Sequence, residues 1–472
     1  MLTLHETLYL VSTEDAFIMD FSGKKIMIIG AGLSGVAAAN LLSGKGAELI
    51  LFDANAKGTL NAGSIRARLA DSYDGRIELG DIPEDCRQYL DYLILSPGVP
   101  RDLPFVVLME KKGTKVIGEI ELAYLYSKGR ITGITGTNGK TTTTALTGHI
   151  LSRKFVNTLV VGNIGTPFTE LVDRTTEDGM TVVELSSFQL DTISEFRPNV
   201  SMVLNITPDH LDRHHTMKNY IAAKMNIALN QTKDDICILN YEDATLREAA
   251  DSLNPRIVWF SSKRSLKDGL YYDNGRIWYA CGGEAEEICE TDKLQLIGLH
   301  NYENVMAAVA AGIYYDVPRE DIREALYSFK PVEHRIEYVA TKNGVKYYND
   351  SKGTNPDASI QAVKAMNVPT WLIAGGYDKG ATYDEWIECF DGKIKHMLLM
   401  GATAGKIADC AAKHGFTAIT YVNSMEEAVD YCARNAVSGE NVLLSPCCAS
   451  WGMFKNYEER GRIFKELVNA LQ

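Results

Sequence analysis

Short runs of apolar, β-branched residues alternate with helical patterns along the whole chain, which predicts α/β domains built on mostly parallel sheets. A first unit opens with the strand Lys25-Ile26-Met27-Ile28-Ile29, continues through Leu49-Ile50-Leu51-Phe52 and Tyr92-Leu93-Ile94-Leu95, and closes on Lys115-Val116-Ile117. A helical stretch from Glu119 to Tyr126 leads into a second unit. Its strands are Arg130 to Ile134, Thr181-Val182-Val183, Ser201 to Leu204 and Ile236 to Leu239, and its last helices are Asn301 to Tyr315 and Arg319 to Phe329. Pro331 is a stop signal and a hinge. The third unit has strands at Val345 to Tyr348, Thr370 to Ile373, Met397 to Met400 and Asn441 to Leu444. The expected domains are therefore 1–118, with an N-terminal extension over 1–20, then 119–331 and 332–472.

Polar clusters follow several of these strands directly: Gly136 to Thr141, Glu184 to Gln189, Asn205 to His214, Asn349 to Asn355, Gly375 to Gly380 and Ser445 to Ser450. Ligands of open α/β sheets bind beyond the carboxyl ends of the strands. So many clusters at that position predict one site shared between domains.

Composition narrows the class. The 472 residues are 46% hydrophobic and 23% charged, ordinary for a globular protein with several cores. No run approaches the ~18 apolar residues of a membrane span, and the N-terminus lacks the basic start and apolar stretch of a secretory signal. The nine cysteines follow no framework and include no C-x-x-C, as expected of reduced thiols in the cytoplasm. Adjacent Cys447 and Cys448 read as small buried residues, with a redox or metal pair as the alternative. A net charge of −13 without a basic tract argues against nucleic-acid and membrane partners. A site for anionic substrates must then be locally positive, which makes lysines and arginines inside glycine-rich segments informative.

The turn Gly30-Ala31-Gly32-Leu33-Ser34-Gly35 follows a strand and opens a helix, and Asp53 ends the next strand. This satisfies the dinucleotide fingerprint, in which glycines let the backbone approach a diphosphate. A diphosphate is the expected ligand; NAD is the narrower alternative, although no hydride chemistry accompanies it. The second loop, Thr135-Gly136-Thr137-Asn138-Gly139-Lys140-Thr141 followed by Thr142, supplies backbone N–H groups, a lysine for the β/γ-phosphates and a hydroxyl for Mg²⁺. It is not a strict Walker A, because Ile134 stands where the first glycine would fall. Glu184 ends an apolar strand, where a carboxylate could hold Mg²⁺ or cap the next turn. The run Asp209 to His215 favours Mg²⁺ with at most one histidine over zinc. Lys224 lies in a helical pattern, where exposure is the default. The turns Asn349 to Asn355 and Gly375 to Gly380 could be ordinary turn chemistry, but their lysines point to anion binding.

Together these segments resemble the Mur ligases, which build the peptide stem of bacterial peptidoglycan precursors. The likeness rests on the loop from Thr135 to Thr141, Gly162-Asn163-Ile164-Gly165, His300-Asn301-Tyr302-Glu303-Asn304 and His334-Arg335-Ile336-Glu337. It also rests on Glu184 to Leu190, Asp350 to Asn355, Ser445 to Ser450 and Phe454-Lys455-Asn456-Tyr457, and it runs from about residue 21 to the end.

The resemblance implies a Rossmann-like N-terminal, a P-loop-type central and a Rossmann-like C-terminal domain. The implied activity is ATP- and Mg²⁺-dependent addition of D-glutamate to UDP-N-acetylmuramoyl-L-alanine through an acyl phosphate, by a monomer. A family member adding another amino acid is the alternative. A non-catalytic NAD or ATP sensor is disfavoured, because it needs no phosphoryl-transfer residues. Gly136, Thr137, Asn138, Gly139, Lys140, Thr141, Thr142, Asn304, Arg335 and Asp350 would bind ATP. Gly32, Ser34, Gly35, Asp53, Gly98, Asn163 and His210 would bind the UDP substrate. Lys352, Thr354, Lys379, Ser450 and Tyr457 would bind the amino acid. Thr141, Glu184, His210 and a carbamylated Lys224 would hold metal, and Lys140, His210, Lys224 and Lys352 would be catalytic. Two departures stand out: Tyr457 replaces the phenylalanine of some relatives, and Asp53-Ala54-Asn55 lacks a basic residue that some place near the uracil.

Overall fold

The computed structural model describes residues 20–55 and 61–471; all but Asp20 of the expected N-terminal extension lies outside the described residues. Three sheets follow one another. The first comprises β1 (Lys25–Ile29), β2 (Glu48–Asp53), β3 (Arg76–Leu79), β4 (Tyr92–Leu95) and β5 (Lys115–Gly118), all parallel in the order β3-β2-β1-β4-β5. Central β1 and β4 are apolar almost throughout because both their faces are covered.

The second sheet comprises β6 (Arg130–Thr135), β7 (Thr158–Gly162), β8 (Met180–Glu184), β9 (Val200–Val203), β10 (Ile236–Asn240), β11 (Arg256–Ser261), β12 (Gly269–Asp273), β13 (Arg276–Cys281) and β14 (Glu284–Glu290). Their order is β14-β13-β12-β11-β10-β9-β6-β8-β7, parallel except for the antiparallel pairs β12–β13 and β13–β14 at one edge. The third comprises β15 (Glu337–Lys342), β16 (Val345–Asn349), β17 (Thr370–Gly375), β18 (Ile394–Met400), β19 (Ile419–Tyr421) and β20 (Asn441–Leu444), in the order β15-β16-β20-β17-β18-β19 with only β15 antiparallel. The predicted α/β class with mostly parallel sheets is the observed one.

The two junctions between sheets differ. A single apolar core runs from the first sheet into the second through the helix Glu119–Tyr126, whose Ile120, Leu122 and Ala123 pack with Ile26, Leu49, Ile131 and Phe168. That helix also buries two carboxylates, which is tolerable only with hydrogen bonds. Glu119 Oε1 accepts from Thr169 N (2.7 Å) and Thr169 Oγ1 (2.8 Å), and Glu121 accepts from the backbone N–H groups of Ser194, Glu195 and Phe196. Burial raises the pKa of both. The third sheet has cores of its own and meets the loop after β6 through polar side chains.

Candidate active site

Between β6 and the helix Lys140–Leu151 the chain turns through Gly136 (φ +154°) and Gly139 (φ +86°). A Cβ on Gly139 would stand 2.3 Å from Asn304 Oδ1, so the turn needs a glycine for both its dihedral and its space. Asn205, just past β9, clasps the turn: its carbonyl accepts from Thr137 N (2.9 Å), its Oδ1 from Asn138 N (2.8 Å), and its Nδ2 donates to Asn138 O (3.1 Å). Thr137 Oγ1 meets Tyr220 OH at 3.1 Å. Thr141 and Thr142 are buried in the first helical turn, and a helix N-terminus of this kind favours anions. Sequence reasoning missed Asn205 and Tyr220 as parts of the cradle, although Asn205 opens one of the polar clusters that follow strands.

Around this loop the fold gathers cations against a net charge of −13. Lys140 Nζ donates to the carbonyls of Gly136 and Thr137, each at 2.9 Å, and burial holds its pKa below the usual lysine value. Lys224 is 2% exposed, not the surface lysine its helical pattern suggests. Its Nζ donates to Gly136 O at 2.7 Å and lies 4.7 Å from the Tyr220 ring centroid. Burial, then the nearby Lys140, push its pKa well down. From the third domain, Lys352 Nζ reaches Thr141 Oγ1 at 3.2 Å and sits 5.6 Å over the Tyr457 ring. Its pKa falls to about 8, first through burial and then through Arg335, with Glu184 opposing.

Glu184 closes β8 in a fully covered position. Its Oε1 accepts from Asn163 Nδ2 at 2.8 Å, while its buried Oε2 has no hydrogen-bond partner. A buried oxygen left unpaired calls for an explanation. With the Thr141 hydroxyl close to the same lysine, these hard oxygen donors fit Mg²⁺.

The nucleotide-side residues also converge. Asn304 Oδ1 accepts from Thr143 Oγ1 (3.2 Å) and its Nδ2 donates to Asn301 Oδ1 (3.1 Å). Asn138, Asn205, His300 and Asn304 line a cavity of about 310 Å³ with Asp357. Arg335 and Asp350 line a smaller one beside Thr142. Asp350 accepts from Ser445 Oγ at 2.8 Å, and burial lifts its pKa to about 7 against the pull of Arg335. Burial and Arg335 lower His300 to about 4, so its ring is neutral near pH 7.

Other anticipated residues lie further out. Thr354 N donates to Lys352 O (2.9 Å), whereas Lys379 is exposed and stands 5.3 Å over the Trp451 ring. Ser450 is buried, on a loop tied to that of Lys379 by a Tyr377–Ala449 bridge. Tyr457 starts the last helix, with its ring edge-on to His334. His210 is exposed in a left-handed conformation (φ +52°), its ring tilted against Phe188 with centroids 4.9 Å apart, and 3.4 Å from Asp209. The buried imidazole of this stretch is His214, bonded to Ser187 Oγ at 2.9 Å. Cys447 and Cys448 are free and buried, and Cys448 contacts Thr403 and Tyr383.

The N-terminal turn is built alike but furnished differently. Asp53 Oδ2 accepts from Ala31 N at 2.8 Å, and Ser96 Oγ donates to Gly30 O at 3.0 Å. A Cβ on Gly35 would fall 1.7 Å from Gly30 O, while Gly32 faces open space. Ser34 is half-buried and Gly98 exposed. A cavity of about 640 Å³ lined by Gly30, Phe52, Asp53, Gly98 and Leu103 opens beside the turn. Arg213 of the central domain donates to the carbonyls of Gly98 (3.2 Å) and Val99 (2.6 Å), which fixes this loop against the second sheet.

Comparison with known proteins agrees with this layout. Three family models match in order: the Mur ligase MurD-like N-terminal domain over residues 24–118, the Mur ligase middle domain over 134–312, and the Mur ligase glutamate ligase domain over 334–448. The UDP-N-acetylmuramoylalanine–D-glutamate ligase of Lachnoclostridium phytofermentans is 55% identical over 454 residues, covering 96% of this chain and all of that one (100%). The enzyme of the same name from Lachnospira eligens is 52% identical over 453 residues, with the same coverage of 96% and 100%. Among solved structures, the UDP-N-acetylmuramate-alanine ligase MurC of Thermotoga maritima shares the fold, with a TM-score of 0.58, 18% identity, and coverage of 95% of this chain and 99% of that one. The chain belongs to the Mur ligase family.

Proposed function

We propose that this chain couples ATP to amide-bond formation between the alanyl carboxylate of UDP-N-acetylmuramoyl-L-alanine and the amine of D-glutamate, a step of peptidoglycan precursor synthesis. Relatives sharing half or more of its sequence carry that name. The observation that carries the reading is the meeting of Lys140, Lys352, Thr141 and the unpaired Glu184 oxygen at one glycine loop.

In this reading Gly136 to Thr142 receive the ATP phosphates, and Lys140 turns from the loop carbonyls to the β- and γ-phosphates. Asn304, Arg335 and Asp350 take the rest of the nucleotide. The UDP diphosphate lies on Gly32, Ser34 and Gly35 with Gly98 and Asp53 alongside, so the dinucleotide-like turn serves a substrate and not NAD. Asn163 and His210 orient the reactive end of the acceptor. The alanyl carboxylate attacks the γ-phosphorus, ADP leaves, and an acyl phosphate forms. Two anions must meet in that step, and Lys140 and Lys352 offset their repulsion and the charge of the transition state. The glutamate amine, placed by Lys352, Thr354, Lys379, Ser450 and Tyr457, then attacks the acyl carbon and phosphate leaves. Bound Mg²⁺ would neutralise phosphate oxygens, held by Thr141 and Glu184. His210 and Lys224 would serve a second ion. Burial favours the neutral amine of Lys224, the form that adds CO₂ to give a carbamate with release of a proton, and a carbamate would replace a buried amine with oxygen donors.

We divide the chain at 118 and 331, supported by the ends of β5 and of the helix Arg319–Ser328. We take the chain to act as a monomer in the cytoplasm without nucleic-acid or membrane partners; the acidic charge and nine free thiols support the location and the lack of nucleic-acid partners. Among the described residues no helix is long and apolar enough to cross a membrane.

The test is phosphate release from ATP with the acceptor and a panel of D- and L-amino acids. Release should require both the acceptor and D-glutamate. Acceptor-independent release, or a better rate with another amino acid, would overturn the assignment and favour a sibling ligase.

A further inference from the structure

The third domain carries a group of metal-ligating side chains that the ligation reaction does not use. Helix Asp384–Glu388 follows the Lys379 loop, helix Ala404–Lys413 follows β18, and the two pack together. Asp384 and Glu388 are one helical turn apart, as are Cys410 and His414, so each pair shares a face. The fold turns these faces toward each other. His414 Nε2 lies 3.0 Å from Asp384 Oδ1, and its Nδ1 lies 3.6 Å from Glu388 Oε1. One ligand atom each from Asp384, Cys410 and His414 falls within 4.8 Å of the others. Cys410 is buried at the floor, and Asp384 is exposed at the rim.

We propose that Asp384, Cys410 and His414 form a site for a divalent cation of the zinc class, separate from the ATP site. A sulfur, an imidazole nitrogen and one carboxylate suit Zn²⁺ or Co²⁺, whereas Mg²⁺ prefers oxygen alone. An imidazole bound to metal usually donates its other N–H to a carboxylate, which fixes the ring. Here the two ring nitrogens already face two different carboxylates. Nε2 binds the ion beside Asp384, and Nδ1 faces Glu388 from 3.6 Å, a carboxylate that a small side-chain movement would bring into hydrogen-bond range. Three protein ligands leave a fourth position for water, and Cys410 binds as the thiolate after releasing its proton to solvent.

Without a cation the cluster sets two carboxylates against one imidazole, an excess of negative charge that a dication reduces even after Cys410 gives up its proton. The other ligand-rich cluster among the described residues, Glu333, His334 and Glu337, differs because Lys465 already bridges both of its carboxylates. An ion at Asp384 would tie the helix that follows Lys379 to its neighbour, and so brace the outer wall of the third domain.

The test uses the full chain, reduced, stripped with a chelator and held in saturating Mg²⁺, then titrated with Co²⁺. One equivalent should give near-ultraviolet thiolate-to-cobalt absorbance with four-coordinate visible bands, should be displaced by Zn²⁺, and Zn²⁺ should raise the Tm. Cys410→Ser should abolish the thiolate band, and His414→Ala should weaken Co²⁺ binding at least tenfold. Cys447→Ser should leave both unchanged. No thiolate band in the parent chain, or a band that survives Cys410→Ser, overturns the proposal. Should Cys410→Ser not fold, exposed Asp384→Asn decides instead: tenfold weaker binding supports the site, and unchanged affinity overturns it.

Discussion

Two glycine turns in this protein share a strand-to-helix plan but enter their helices differently, the first through an extended Gly32 and the second through a left-handed Gly139. Each joins the end of a parallel strand to a helix, and each uses a glycine at positive φ, Gly30 at +98° and Gly139 at +86°. What separates their work is what arrives from elsewhere in the chain. The first turn receives an aspartate, a serine and an apolar cleft. The second receives lysines from its own helix, from the helix Met217–Met225 and from the third domain, with a buried carboxylate oxygen left unpaired. A turn of this kind offers N–H groups to phosphate, and its neighbours decide whether that phosphate is held or transferred.

Removing the charge from the second turn should have the largest effect. Lys140→Ala is expected to lower kcat by about 10³-fold or more, the scale of a cation lost from a phosphoryl-transfer site, with the circular dichroism spectrum unchanged. A rate near that of the parent would break the contrast between the turns. Next comes Gly139→Ala, where the left-handed dihedral costs about 1–2 kcal/mol and the clash with Asn304 roughly 1–3 kcal/mol. The KM for ATP should rise by one to two orders of magnitude while that for the UDP acceptor stays fixed.

The pH dependence follows from Lys352. Its pKa of about 8 is depressed from 10.5, so the free enzyme carries the ammonium below pH 8 and loses it above. A bound carboxylate favours the charged form, so the KM for D-glutamate should be flat below pH 8 and rise up to tenfold per unit above it. Lys352→Arg should remove that break, and a break that persists would assign it to another group. The smallest effect belongs to Gly32→Ala. No protein atom lies within 4 Å of the added Cβ, so the Tm should not move. The KM for the acceptor should still rise several-fold, because the methyl group occupies space that a diphosphate needs. An unchanged KM would mean that the diphosphate does not rest on this turn.

Central strands were legible because both faces are buried. β1, β4, β17 and β20 read as unbroken apolar runs once the sheets cover them. Edge strands were mostly not, β5 being the exception. β14, Glu284–Glu290, is largely acidic because half of it faces water, and β3 and β19 are short and half-exposed. Among site residues, Lys140 and Thr141 declared themselves by their place in the loop. Lys224 did not, since an exposed and a buried lysine look identical in a helical pattern.

The sequence by itself determined the class of the sheets, the two glycine turns and the family, because each depends on residues close together in the chain or on motifs in a fixed order. Only the tertiary structure decided that Lys224 is buried on Gly136, that Lys352 crosses a domain boundary to Thr141, and that Glu184 keeps an unpaired oxygen among lysines. Those facts depend on which surfaces meet across two sheets. Local chemistry fixes the turns, but the desolvation and the charge balance that set their work arise from residues up to 211 positions apart in sequence.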